Sequence, residues 1–324
     1  SSGENLLVEY KFHEHRYEHK GNFAHAANCI KHSLELLGYQ EAGQGWDANG
    51  SPTNTEFIDD TLHIFNHTCR DLEPNMPENS IIFKPTAPTS HHFSIDWLGY
   101  ANSSSITFEQ PYEFFDRVYT KFEMDEIGEM IDRRANKWDD SILLKWREAA
   151  KVRNDHILII GQTLNDETVK GFGFGNHLEK LCMIVEKLKD YPLVIKLHPR
   201  MDKDGFRAQS HVDKWREDGH QVFTAYESIH SILPYTKVAI IDNSTAGIEC
   251  MMHDVPIISY GYPDYHWVTQ DLRILTELKG YIDDLDTIHP WFDLEQQRQF
   301  MTWYIFDYLC NDIPTTITRL NNLL

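Results

Sequence analysis

Short β-branched apolar runs punctuate the second half of the chain. His156-Ile157-Leu158-Ile159-Ile160 is the first and Leu193-Val194-Ile195-Lys196-Leu197 the second. Val238-Ala239-Ile240-Ile241 and Pro256-Ile257-Ile258-Ser259 follow, with a weaker run at 221–223. Apolar runs of this length without alternation predict strands buried on both faces. Between them lie helical stretches at 176–189, 228–233 and 245–252, and a polar, charge-rich stretch at 203–218. Strands alternating with helices build βαβ units and a parallel sheet, so this half is expected to be Rossmann-like.

The first half has a weaker pattern. Val8 to Phe12 alternates as a strand does. Phe23, Ala26, Ala27, Ile30, Leu34 and Leu37 keep helical spacing, and Gly38 sits where a C-cap would. Ser80–Lys84 and Ser105–Glu109 are expected strands, and an acidic helix is expected from Glu123 to about Ala150. A boundary between Ala149 and Asp155 divides the chain into α/β lobes at 1–150 and 151–324. The second lobe ends in helices expected at 272–279, 294–309 and 313–324. The expected fold is therefore α/β, with two Rossmann-like lobes, a cleft at the carboxyl ends of their strands and a C-terminal helical tail.

Charge narrows the function. The 324 residues carry 30 Lys and Arg against 50 Asp and Glu, a net charge of −20. Neither a nucleic-acid surface nor a polybasic membrane anchor fits that balance. No apolar run nears the ~20 residues of a membrane span, and no signal pattern opens the chain, where Ser1 to Leu6 read as an artificial remnant. Cys29, Cys69, Cys182, Cys250 and Cys310 are scattered without C-x-x-C and read as buried thiols of a reducing cytoplasm.

Four segments carry candidate chemistry, each at an expected strand end. In Lys196-Leu197-His198-Pro199-Arg200, proline fixes φ and biases His198 toward extended geometry. There the imidazole donates to a phosphate oxygen beside Lys196 and Arg200, or else decorates a surface turn. Asp242-Asn243-Ser244-Thr245-Ala246-Gly247-Ile248-Glu249 runs from strand to helix. Ser244 or Thr245 is expected to cap that helix, whose N-terminal N–H groups suit phosphate. The small-residue run is expected to admit a ligand close to the backbone. Glu249, one turn on, either binds ribose hydroxyls or is a solvated helix acid. Gly161-Gln162-Thr163-Leu164-Asn165-Asp166 ends the first strand of this half; by residue type alone Asp166 is an ordinary turn acid, and in a cleft it is a nucleophile or base. The stretch from Phe83 to Asn102 holds Lys84, Pro85, Pro88, His91, His92 and Asp96, and reads equally as a binding loop or a structural Ω-loop. Glu109 closes the next expected strand.

His13, His15 and His19 invite a metal, but no further ligand follows at zinc spacing and no metal is expected. Gly171-Phe172-Gly173-Phe174-Gly175 lacks G-x-G-x-x-G spacing and is expected to be a glycine-rich cleft loop rather than a dinucleotide site.

Gln162-x-x-x-Asp166, His198-Pro199 and Ser244-Thr245-x-Gly247-x-Glu249, taken in order, resemble the bacterial CMP-Kdo-dependent β-Kdo glycosyltransferases of capsule and O-antigen lipopolysaccharide assembly. That group is retaining and has a GT-B-like fold. The resemblance covers mainly residues 155–265. It implies that 1–150 face the acceptor and 151–324 bind the nucleotide sugar. By the resemblance, Asp166 is the nucleophile and carries Kdo as a covalent adduct between two inversions. His198, Ser244 and Thr245 receive the CMP phosphate, Glu249 holds the ribose, and Gln162, Lys196, Pro199, Asn243 and Gly247 belong to the same donor site. Lys84 and Arg200 meet the Kdo carboxylate, while Glu109 or Asp96 deprotonates the acceptor. Lys84-Pro85-Thr86-Ala87-Pro88-Thr89 stands where capsule-type relatives carry an acidic-Gly-Phe-Leu-Arg-like segment.

The implied partners are a CMP-sugar donor and a glycan or lipid-linked glycan acceptor, with no metal or other cofactor and no nucleic acid. The implied place is the cytoplasm, at the inner face of the inner membrane through peripheral or partner-protein contact. His-Pro and Ser-Ser/Thr pairs also occur in sialyltransferases, so an inverting CMP-sialic-acid-type enzyme with Asp166 as base is the near alternative. A polyol-phosphate transferase with His198 as base is another. The non-enzyme alternative is a catalytically silent partner in a polysaccharide assembly complex.

Overall fold

The computed structural model describes residues 8–13, 21–42, 60–137, 155–161, 177–196, 205–225 and 227–324. In the first lobe, β1 (Glu9–His13), α1 (Gly21–Leu36), β2 (Gln40–Glu41), β3 (Thr61–Asn66), β4 (Ser80–Pro85) and β5 (Phe93–Asp96) follow in chain order. The strands lie side by side as β2-β1-β3-β4-β5, all parallel except the β4–β5 pair. Strand periodicity of two sends Tyr10, Phe12, Leu62, Ile64, Ile81 and Phe83 to one face, against Phe23, Ala26, Ile30 and Leu34 of α1. Lys11, His13, Thr61, His63 and Ser80 alternate with these and are also buried. Their polar side chains hide β3 from a hydrophobicity pattern, and no strand is expected there from sequence.

Ser105–Glu109, expected as a strand, forms instead a one-turn helix, α2 (Ser105–Phe108). The reason is tertiary. The Asp96 carboxylate accepts the Ser105 backbone N–H at 3.1 Å and its hydroxyl at 2.6 Å, capping the turn from a distant strand. The acidic helix is α3 (Lys121–Asp132), opened by a capping box in which Thr120 and Glu123 bond each other's backbone N–H.

The second lobe runs β6 (His156–Ile160), α4 (His177–Lys187), β7 (Leu193–Lys196), α5 (Gly205–Glu217), β8 (Val222–Ala225), α6 (Ile229–Ile232), β9 (Thr236–Ile241), α7 (Ala246–Met252), β10 (Ile257–Ser259) and β11 (Gln270–Asp271). Its six strands are parallel and ordered β11-β10-β9-β6-β7-β8. The chain winds outward one way from β6 and then the other way from β9, the doubly wound Rossmann order. Alternate residues feed two cores. Ile157, Ile159, Ile195 and Ile240 meet Leu181, Ile184 and Val185 of α4. Leu158, Ile160, Val194 and Ile241 meet Ile248 and Met251 of α7 on the other face. Each such side chain contributes roughly 1.5–3 kcal/mol by leaving water, which is why continuous apolar runs identify these strands.

The expected helix at 272–279 is a 3-10 turn (Leu275–Glu277) followed by α8 (Leu278–Asp284). The expected helix at 294–309 is α9 (Leu294–Trp303) followed by a π turn (Tyr304–Tyr308). The two cores do not divide the chain at a single point. Ile106, Phe114, Ile127 and Met130 pack into the second-lobe core. The closing segment crosses the other way: Cys310 and Phe93 exchange backbone hydrogen bonds at 2.9 Å, and Leu320 of α10 (Ile313–Leu323) enters the first-lobe core. Among the described residues no helix is long and apolar enough to cross a membrane.

Candidate active site

In doubly wound sheets ligands bind beyond the carboxyl ends of the strands, where the strand order reverses. Here that point lies between β6 and β9, paired through Ile159 and Ile240. Gly161 leaves β6 with its N–H on the Lys196 carbonyl at 2.8 Å, which places the ends of β6 and β7 together. The segment beyond Gly161 carries Gln162 and Asp166, and the one beyond Lys196 carries His198, Pro199 and Arg200. These five residues lie outside the described residues.

The remaining second-lobe candidates cluster along the same edge. Lys196 closes β7, and burial lowers its pKa to about 8, opposed by the charges of Glu249 and Glu227. Glu249 is buried rather than solvated. Desolvation raises its carboxyl to about 8, opposed by Lys137 and Lys196. A carboxyl that changes charge near neutrality beside two lysines, at a ligand-binding edge, is a candidate functional group. Asn243 is buried, whereas Ser244 and Thr245 are partly exposed. Ser244 Oγ accepts the Ala246 N–H at 3.2 Å, while the Thr245 hydroxyl makes no cap.

Gly247 has another explanation than close approach of a ligand. A Cβ there would stand 2.1 Å from Cζ of Tyr265, a fully buried ring whose hydroxyl donates to the Ser244 carbonyl. Tyr265 therefore requires glycine at 247 and is tied to the turn through the Ser244 carbonyl.

Sequence reasoning gave no role to Asp242, which anchors this edge. It is fully buried at the end of β9; Lys180 Nζ donates to its Oδ2 at 3.3 Å and His177 Nδ1 lies 3.7 Å from the same oxygen. Both partners belong to the first turn of α4. Gly261 makes room, since a Cβ there would stand 1.7 Å from Asp242 Oδ1. The available signal was Lys180 itself, a cation on the stripe that carries Leu181 and Ile184 into the core.

In the first lobe, Asp96 is corrected from acid/base candidate to structural hub. Its fully buried carboxylate accepts from Leu98 N (2.7 Å), Gly99 N (3.2 Å), Ser105 N, Ser105 Oγ and Tyr308 Oη (2.9 Å). A carboxylate so occupied has no free lone pair aimed at a substrate. Glu109 is exposed just past α2 rather than at a strand end. Lys84 sits near the end of β4 with its ammonium 5.9 Å from the Tyr100 ring centre. His13, expected in a polar strand, is buried, with Nε2 2.8 Å from Nδ1 of His63; burial lowers its pKa to about 3. His15, His19 and the 171–175 glycine run lie outside the described residues.

Comparison with known proteins places this geometry. No curated protein matches the sequence. Among solved structures, the KpsC β-Kdo 2,7 transferase of Thermosulfurimonas dismutans superposes with a TM-score of 0.55 at 14% identity, over 98% of this chain and 99% of that one. The KpsC β-Kdo 2,4 transferase of the same organism gives 0.55 and 14%, over 96% and 94%. At that identity the likeness concerns the fold, which is α/β and GT-B-like as expected from the sequence. A family model described as capsule polysaccharide biosynthesis protein matches residues 111–274, a stretch that holds α3, both cations facing Glu249 and the whole carboxyl edge from β6 to β10. On that match, which spans half of the chain, the protein belongs to the capsule polysaccharide biosynthesis family.

Proposed function

We propose that the protein transfers Kdo from CMP-Kdo to a glycan acceptor with retention, in the synthesis of a bacterial surface polysaccharide. The observation that carries this reading is the reversal of strand order between β6 and β9. The segments bearing Asp166, His198 and Ser244–Thr245 leave adjacent strands at that reversal. Family membership supplies the biosynthetic setting.

In this reading the CMP phosphate sits against Ser244 and Thr245, which are partly exposed, with His198 donating to it as charge builds on the leaving group. Asp166 attacks the anomeric carbon and CMP leaves. The acceptor hydroxyl then displaces Asp166, and the two inversions together retain configuration. Glu249, protonated at pH 7, donates a hydrogen bond to a ribose oxygen, while Lys196 and Arg200 balance the negative donor. Asp96 is committed elsewhere, which leaves Glu109 or a further group to take the acceptor proton.

Donor identity is tested by chromatographic assay of released CMP, with CMP-Kdo and CMP-sialic acid offered in parallel. CMP release from CMP-Kdo alone supports the reading. Release from CMP-sialic acid alone transfers the site to the sialyltransferase-type alternative, and release from neither favours the phosphotransfer or silent-partner reading.

A further inference from the structure

Next to the turn at 133–137, whose Lys137 acts electrostatically on Glu249, a cavity of about 310 Å3 opens between the first-lobe loop at 89–92 and α3. It is built before any ligand arrives. On one wall, Thr89 Oγ1 lies 2.6 Å from Nδ1 of His92 and accepts the His91 N–H at 3.2 Å, with His92 buried beneath. On the other, α3 ends where Arg134 takes φ +51° and the Ala135 N–H reaches back to the Met130 carbonyl at 2.9 Å. The turn is tied to both lobes, by Nε2 of His230 at 3.0 Å from the Ala135 carbonyl and by Asn22 Nδ2 donating to the Lys137 carbonyl at 3.1 Å. Walls fixed in advance lower the ordering cost of binding.

The chemistry of the lining is specific. Glu126, Glu129, Met130 and Arg133 share one face of α3 at i, i+3, i+4 and i+7 spacing. Among the described residues Glu126, Glu129, Arg133 and Ser90 spend no side-chain hydrogen bond or ion pair on the protein. Two carboxylates that accept, a guanidinium that donates, a hydroxyl that does both and an apolar Met130 complement a sugar ring, with its hydroxyls and its C–H face. A volume near the low end of ligand sites, about 300 Å3 and up, suits a sugar-sized ligand. The lining sets two carboxylates, Glu126 and Glu129, against one guanidinium, Arg133, so the local field is negative, and burial with the neighbouring Glu129, Glu123 and Asp312 raises the Glu126 pKa. A ligand carboxylate entering here would meet the same repulsion.

We infer that this cavity holds the terminal sugar of the acceptor, and that it selects a neutral hexopyranose over an acidic sugar. The inference rests on the transferase reading for the word acceptor, but not for the binding of the sugar. Saturation-transfer NMR on the intact protein tests it, with methyl β-D-galactopyranoside and methyl β-D-glucopyranoside as neutral probes and D-galacturonic acid and Kdo as acidic ones. Saturation of a neutral glycoside, with either acid held roughly tenfold more weakly, is the expected result. Arg133→Ala and Glu126→Gln should each weaken the neutral probe roughly tenfold, the usual worth of a hydrogen bond to a charged group. The inference is overturned if no neutral glycoside binds, if an acidic sugar binds as well, or if both variants bind as wild type does. CMP-Kdo binding, followed separately on the wild type, distinguishes the two proposals. Neutral sugar bound without any CMP-Kdo binding keeps the cavity assignment and sinks the transferase reading.

Discussion

Tyr308 donates its hydroxyl to Asp96 Oδ2 at 2.9 Å, joining the π turn that leaves the second-lobe core to the last strand of the first-lobe sheet. Both groups are buried, and Arg319 stacks over the Tyr308 ring at 4.8 Å. The contact makes Asp96 part of the joint between the lobes. Tyr308→Phe removes one donor from a buried carboxylate and should cost about 1.5–3 kcal/mol, read from the urea midpoint. Asp96→Asn should lower stability further, because one acceptor oxygen becomes a donor facing other donors. If Asp96→Asn keeps the wild-type midpoint but loses turnover, the hub assignment is wrong and an acid/base role returns.

Gly247→Ala puts a methyl group into the Tyr265 ring, which is fully buried and cannot swing away. Overpacking of this kind costs about 1–3 kcal/mol. Calorimetry on Gly247→Ala and on Gly247→Ala with Tyr265→Leu checks the cause: the second change should recover part of the lost Tm.

The Glu249 carboxyl, at about 8, lies above its ordinary 4.5. The folded protein therefore keeps a proton that the unfolded chain releases between those values. The group's contribution to stability is full below about 4.5 and is lost as pH rises through 8. Glu249→Gln has no such dependence. Denaturation at pH 5, 6.5 and 8 should show the variant gaining on wild type step by step with pH, and a constant difference would show that the carboxyl is already ionised.

Asp242 and Lys180 form a buried pair, and removing one partner strands the other charge. Asp242→Ala should cost about 3–5 kcal/mol. Asp242→Leu with Lys180→Met should cost markedly less than either single change, since no charge is left in the core. Double-mutant denaturation measures the coupling, and strict additivity would deny it.

The second-lobe sheet was legible because each of its central strands is buried on both faces and needs an unbroken apolar run. The first lobe was not. In β3 the buried His63 pairs its Nδ1 with Nε2 of His13 from the neighbouring strand, a partnership 50 residues apart that no local pattern reveals. Ser105–Phe108 has the composition of a strand and is helical because Asp96 caps it from outside. At the site, the helix spacing puts Glu249 one turn into α7, but its burial depends on the packing of α7 against the sheet. The packing need for glycine at 247 was not legible because Tyr265, the ring a Cβ there would strike, lies 18 residues further on. Asp242 stood in the strand-end run without a role, since its partners come from α4, across the sheet.

The proposed covalent Kdo adduct on Asp166 is open to intact-protein mass spectrometry after incubation with freshly generated CMP-Kdo. A gain of one Kdo mass is expected on the wild type and none on Asp166→Asn. No gain on either protein, with acceptor-dependent CMP release that still requires Asp166, would contradict it and make Asp166 a general base.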